Sequence, residues 1–365
     1  MIRVSNKLNR LKNIKTYTAP ILALLLGLSL CSCGLNTGRQ ESSAVPAYDG
    51  KDYVEISTIT AEGENPEEFA ATYEPMQNFD SELSVPTYVT KVDDTYFIVD
   101  CYHNRIIYST EMGIPLNQWH IMSSNLTQPH TLASDGKVYI ADDTENNRIL
   151  VFEKFDGKFI NTQSLYNVGS RPHYTVYDKQ TDTFYVWSSV TGELYCFRHP
   201  ADSSRIYLTE IKKIPELDGI YVRSFSIIDG DIFFVSGVSQ SGQAPKIYRC
   251  SLQDLSIKES VDIPKQIAGM AQITAIGDYY YITVSTDLSG DQNAATIIRT
   301  GDLHELSSGN YEDIYSDYFI GGGTPYYISE VDGTYYLTEH RLKGHGVWNF
   351  TCDEHGNITN VTAVY

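Results

Sequence analysis

Between Val85 and Phe350, short apolar runs alternate with polar turns in one recurring order. The clearest copy runs Gln128-Pro129-His130-Thr131-Leu132, then Val138-Tyr139-Ile140-Ala141-Asp142-Asp143, then Asn147-Arg148-Ile149-Leu150-Val151-Phe152. The copy before it runs Val85-Pro86-Thr87-Tyr88-Val89, Tyr96-Phe97-Ile98-Val99-Asp100 and Asn104-Arg105-Ile106-Ile107-Tyr108. Each run is rich in β-branched and aromatic residues and is bounded by Asp, Asn or Gly, which predicts short strands joined by tight turns. Four weaker copies lead on Pro172-His173, Arg223-Ser224, Met270-Ala271 and Pro325-Tyr326. Their spacing grows from about 43 to about 56 residues, with the extra length in polar loops, where insertions are tolerated. No stretch of this region carries a helical apolar period.

A unit of three or four short strands cannot bury both faces alone. Stacked radially, such units bury one another, so six copies predict an all-β chain folded as a six-bladed β-propeller. One further strand is expected from the alternation of Tyr53-Val54-Glu55-Ile56-Ser57-Thr58-Ile59. Lying ahead of the first blade, it is expected to pair with the last one beside Ile358–Val364 and so tie the ends of the ring.

The N-terminus has another pattern. Arg3, Lys7, Arg10, Lys12 and Lys15 precede an uncharged run from Ile21 to Leu30, then Cys31-Ser32-Cys33-Gly34. A basic start, a short apolar stretch and a small residue before the cut predict a secretory signal over residues 1–32, whose apolar run is too short to span a bilayer. Leu30-Cys31-Ser32-Cys33 resembles the bacterial lipobox, which implies lipidation of Cys33, a polar tether over residues 33–50 and a propeller over residues 51–365. The expected location is the outer side of a bacterial membrane, reached through the lipid anchor alone.

Charge narrows the partners. Removing the signal takes five of the 27 basic residues and none of the 46 acidic ones, so 22 face 46 and the formal net charge becomes −24. Nucleic acid binding needs basic residues against the phosphates, and no basic stripe is present. The expected partner is an extracytoplasmic small molecule, peptide or protein. Cys101, Cys196, Cys250 and Cys352 have no Cys-x-x-Cys spacing and are expected as buried thiols, the alternative being a disulfide between Cys101 and Cys352 where the first and last blades adjoin.

Candidate chemistry follows from the geometry of a propeller, in which the first strand of each blade lines the central channel. The position after the Pro should bring Thr87, His130, His173, Arg223, Met270 and Tyr326 to one mouth. His130 and His173, on adjacent blades, are candidate ligands for a divalent metal, zinc or calcium, which would make the pore the site of a lyase or hydrolase in place of a plain binding mouth, while Arg223 and Tyr326 suit an anionic or carbonyl group. In the turns, Asp143, Asn147 and Arg148 are expected to close the chain on itself, Arg against Asp. Glu339-His340-Arg341-Leu342-Lys343-Gly344-His345 and Gly321-Gly322-Gly323 are expected on the rim. Asp287-Leu288-Ser289-Gly290-Asp291-Gln292-Asn293 lacks the closing Glu of a calcium loop and reads as a polar hairpin.

The segment Ala141-Asp142-Asp143-Thr144-Glu145-Asn146-Asn147-Arg148-Ile149-Leu150-Val151-Phe152 resembles an NHL repeat, a unit of propellers that act chiefly as binding platforms. The first two blades are also similar to peptidyl-α-hydroxyglycine α-amidating lyase, a zinc-dependent propeller enzyme. The matching residues are Pro86-Thr87, Asp100-Cys101-Tyr102-His103-Asn104-Arg105, Pro129-His130 and Asp143-Thr144-Glu145-Asn146-Asn147-Arg148. That likeness implies that Tyr102 and Arg148 act on substrate and that His130 binds zinc. At the positions of that family's other two zinc histidines this chain has Tyr326 and Arg223.

Overall fold

The computed structural model describes residues 45–60, 65–237, 242 and 244–365. Cys33 and the whole expected signal lie outside them. No helix among the described residues is long and apolar enough to cross a membrane.

Six small antiparallel sheets form the ring. The innermost strands are Pro86–Val92, Leu132–Ser134, Pro172–Asp178, Val222–Ile228, Gly269–Ile276 and Thr324–Val331, one for each of blades 1 to 6. Each is followed outward by its next three strands, hairpin by hairpin, as the repeat requires. The turns use the residues that tolerate a left-handed backbone: Asn104 and Asn147 close equivalent turns of blades 1 and 2 with φ of 55° and 50°.

Burial proceeds between blades. One apolar cluster fills each interface, from Phe97, Val99, Tyr139 and Phe152 between blades 1 and 2 to Val89, Trp119, Val331 and Val347 between blades 6 and 1. The last of these closes the circle without strand exchange, because blade 6 draws all four strands from Thr324–Ala363. Two hydroxyls help: Ser329 donates to the Val89 carbonyl at 2.6 Å and Thr338 to that of Thr87 at 2.8 Å.

The expectation for Tyr53–Ile59 is therefore corrected. Thr58–Thr60 adds a fifth strand to blade 2 by pairing with Lys158–Tyr166, and Met76–Gln77 adds one to blade 1 beside His120–Ser123. Residues 45–50, expected in the tether, lie on blade 3, where Arg198 Nη2 donates to the Pro46 carbonyl at 2.9 Å and Tyr48 packs edge-on against Tyr207. The segment thus runs along outer edges from blade 3 to blade 2 to blade 1. The outer strand of blade 2, Lys158–Tyr166, is nine residues long against six for Ile358–Ala363, and so offers the longer open edge.

Candidate functional site

Five of the six innermost strands have a break in the hydrogen-bonded ladder near their start, between Pro86 and Tyr88, Pro172 and Tyr174, Val222 and Phe225, Gly269 and Gln272, and Pro325 and Ile328. Such a bulge adds an unpaired residue and upsets the alternation of faces. Two layers of side chains result. The upper one holds His130, His173 and Tyr326, and the lower one Tyr88, Tyr174 and Tyr327.

In the upper layer the His130 and His173 rings stack with centroids 3.7 Å apart, and Tyr326 lies 6.1 Å from His130. His173 Nδ1 faces the Arg223 carbonyl at 2.9 Å, an oxygen that can only accept, so Nδ1 carries the proton. Its Nε2 is then an acceptor, and Tyr221 donates its hydroxyl proton there at 2.9 Å. His130 Nδ1 meets the Thr144 hydroxyl at 3.0 Å, and that hydroxyl donates onward to the Pro172 carbonyl at 2.7 Å. His130 is therefore also protonated on Nδ1, with Nε2 facing the Cys101 sulfur at 3.9 Å. Burial pushes His130 down to about 3 and His173 well below the usual imidazole range, so both rings are neutral.

Asp142 fixes this layer from beneath. Its carboxylate accepts from the backbone N–H of His130 at 2.7 Å and of Thr131 at 2.8 Å, and from the hydroxyl of Thr131 at 2.5 Å. Burial still pushes the group up to about 7.

The rim carries positive charge. Among the described residues Arg223 anchors one nitrogen: Nη1 donates to the Ser285 hydroxyl at 2.9 Å and the Met270 carbonyl at 3.4 Å. Its guanidinium lies 5.4 Å from the Tyr221 ring. Arg341 donates to the Gln292 carbonyl at 2.6 Å, and Arg171 is paired with Glu145. His340 packs edge-on against Tyr326 at 5.7 Å, and burial pushes it down to about 4, with Arg341 and Arg223 acting the same way. Its Nε2 is buried with no hydrogen-bond partner among the described residues.

The lower layer closes the channel. Tyr174 lies edge-on to Tyr327 at 5.0 Å and to Tyr88 at 6.3 Å, and Gln272 donates to the Tyr174 hydroxyl at 3.2 Å. Below it opens a second vestibule of 400 Å³ whose lining includes Asp229 and Glu330.

Not every expected residue reaches the mouth. His130, His173, Tyr326 and Arg223 come together there. Thr87 is buried, and its hydroxyl donates to the His130 carbonyl at 2.8 Å. Met270, expected to face the channel, packs instead among Phe233, Val235, Ile273 and Val284 between blades 4 and 5, turned by the bulge on either side of it. Arg148 is fully engaged, at 2.5 Å to Asp143, 3.1 Å to the Tyr166 hydroxyl and 3.0 Å to the Asn125 carbonyl. Arg105 meets Asp100 in the same way in blade 1, so the Arg-on-Asp turn expected from the repeat is present twice. Tyr102 stands out to solvent, 61% exposed. A metal shared by the two histidines would have to displace Tyr221 from His173 and unstack the rings. Among the described residues no group of three or more His, Cys, Asp or Glu side chains is placed to hold one. The four cysteines are free thiols, three of them buried, and Asp287 closes its loop on Ser289 and Asp291 as a hairpin.

Residues 126–152 match the NHL repeat family. The chain is a six-bladed propeller carrying an NHL repeat. Comparison with curated proteins finds no significant match. Among solved structures it is similar to a candidate 6-phosphogluconolactonase from Bacteroides fragilis, with 15% identity, a TM-score of 0.54, and 86% of this chain and 95% of that one covered. It is also similar to a streptogramin B lyase, with 16% identity, a TM-score of 0.50, and 78% and 85% covered. The hydrazine synthase of Kuenenia stuttgartiensis aligns at 14% identity with a TM-score of 0.52, covering 76% and 80%. At these identities the likeness is one of fold.

Sequence reasoning missed Tyr88, Tyr174, Tyr221, Gln272 and Tyr327. The pair Tyr326-Tyr327 carried the one available signal, since only a bulge lets neighbours in a strand face the same way.

Proposed function

We propose that this protein is an exported lipoprotein, anchored at Cys33, whose propeller binds an extracytoplasmic ligand at the mouth formed by His130, His173, Tyr221, Arg223, Tyr326 and His340. The observation that carries the reading is the upper layer itself. Two neutral imidazoles have their tautomers fixed by backbone and side-chain partners, beside hydroxyls and a half-anchored guanidinium. The tyrosines beneath make the site a cup and not a conduit. A rigid cup with placed polar groups is how propellers and other scaffolds recognise small molecules. Arg148 is engaged in its own turn, so binding takes precedence over the lyase or hydrolase reading.

Two experiments test the two halves. Cys33→Ser should release the protein from the membrane fraction and abolish palmitate labelling. A serine variant that still fractionates with membrane and labels would sink the anchor. For the cup, the full-length protein in detergent is screened by thermal shift against neutral, anionic and cationic small molecules. At least one ligand should raise the melting temperature of the parent and not that of Tyr326→Ala. A screen in which every hit acts equally on both proteins would sink the site.

A further inference from the structure

The charge around the mouth runs against that of the chain. A mature protein with 22 basic and 46 acidic residues places Arg171, Arg223 and Arg341 around one end of its channel. Among the described residues Arg171 has a carboxylate partner and Arg223 and Arg341 have none. Arg223 is the better placed of the two. With Nη1 held by Ser285 and Met270, its Nε and Nη2 have no protein partner among the described residues. That edge presents two parallel N–H donors, the fork that matches two oxygens of an oxyanion.

Tyr221 adds a second, opposite requirement. Two hydroxyls face His173 Nε2, Tyr221 at 2.9 Å and Tyr326 at 3.4 Å, and the nearer one, Tyr221, donates its proton there, because His173 Nδ1 is committed to the Arg223 carbonyl. The Tyr221 oxygen can therefore only accept. An oxyanion with no hydrogen would meet it lone pair to lone pair, whereas one bearing an O–H or N–H would complete a bond. His340 Nε2, buried beside Tyr326 without a partner among the described residues, leaves a third polar atom to satisfy.

We propose that the cup takes a small oxyanion carrying its own hydrogen-bond donor, with the anion on the Nε–Nη2 edge of Arg223 and the donor on the Tyr221 oxygen. This rests on the reading of the mouth as a binding site and names the chemistry it selects. Phosphate and carboxylate share the oxyanion, and only some carry the donor. Near neutral pH, hydrogen phosphate and sulfate have the same shape and charge and differ by one proton, so they isolate the second requirement.

The test is calorimetric titration of the full-length protein in detergent with phosphate, sulfate and acetate at pH 7.5, repeated on Arg223→Gln and Tyr221→Phe. Phosphate should bind at least tenfold more tightly than sulfate. Arg223→Gln should weaken every anion at least tenfold, and Tyr221→Phe should erase the preference for phosphate over sulfate. Anion binding that Arg223→Gln leaves unchanged, or no anion binding at all, overturns the proposal. If the thermal-shift screen then still shows neutral ligands lost in Tyr326→Ala, the cup binds but does not select anions. If it shows none, the binding reading falls with it.

Discussion

The imidazole of His130 lies over that of His173, with centroids 3.7 Å apart and planes 28° from parallel. Two imidazolium cations stacked this closely in a buried site would repel one another, so at least one ring of the stack is neutral, and burial holds both that way. The hydrogen bonds agree, since each Nδ1–H is placed on an oxygen and each Nε2 is left as an acceptor.

Stability should therefore fall in mild acid. His130, His173 and His340 are all held below the ordinary value of 6.5, so the unfolded chain takes up protons that the folded one refuses. Their contribution is complete above about pH 6.5 and is lost as pH falls toward the folded values, at up to about 1.4 kcal/mol per pH unit for each ring. His199 works in the opposite sense. Its burial is outweighed by hydrogen bonds to Asp135 and the Pro200 carbonyl, which raise it, so its contribution is lost as pH rises. Melting temperatures between pH 8 and pH 4.5 should fall for the parent and fall less for His340→Asn. Identical slopes would show that His340 titrates normally.

Asp142 is the support of the upper layer, and Asp142→Asn should show it. The amide replaces an acceptor oxygen with an N–H₂ group that faces donors, leaving buried N–H or O–H groups of His130 or Thr131 without partners. The expected cost is about 2–4 kcal/mol, read from the urea midpoint. A loss within about 0.5 kcal/mol would mean that the carboxyl is already protonated in the native state, as its upward shift to about 7 would permit near neutral pH.

Fold and site differed in how far the sequence disclosed them. Blade number and strand order were legible because each copy carries its own turn residues, such as Asn104 and Asn147, and its own buried run. His130, His173, Arg223 and Tyr326 were legible because they sit at equal offsets from those turns. Met270 and the tyrosine layer were not, because a bulge shifts facing by one residue and leaves no mark in composition. The edge that Thr58–Thr60 would choose was hidden for a similar reason, since alternation says that a segment is a strand and not which neighbour it joins.

Ring closure rests on Tyr365 more than on the N-terminal segment. Its hydroxyl accepts from Gly113 N–H at 2.9 Å and Trp119 Nε1 at 3.1 Å and donates to the Ile114 carbonyl at 2.8 Å, bridging blade 6 to blade 1. Tyr365→Phe should cost about 1–3 kcal/mol through those orphaned groups. Hydrogen exchange should rise at Trp119 and Val347, on the two sides of that seam, and not in blade 3. A uniform rise around the ring would show that the seam is no weaker than the other interfaces.

The tyrosine layer makes a last prediction possible, because one residue of blade 5 holds it to blade 6. Gln272 accepts from the Ile328 N–H at 2.6 Å and donates to the Ile328 carbonyl at 3.0 Å and the Tyr174 hydroxyl at 3.2 Å. The side-chain amide thus stands in for a strand neighbour where the bulge between Pro325 and Ile328 has interrupted the ladder. Gln272→Leu keeps the volume and removes all three bonds, which should cost about 2–4 kcal/mol in denaturant titrations. Ligand binding at the cup should change less than threefold, because Gln272 touches the lower layer and not Arg223 or Tyr221. A stable Gln272→Leu protein with weakened binding would reverse the assignment and place Gln272 in the recognition site.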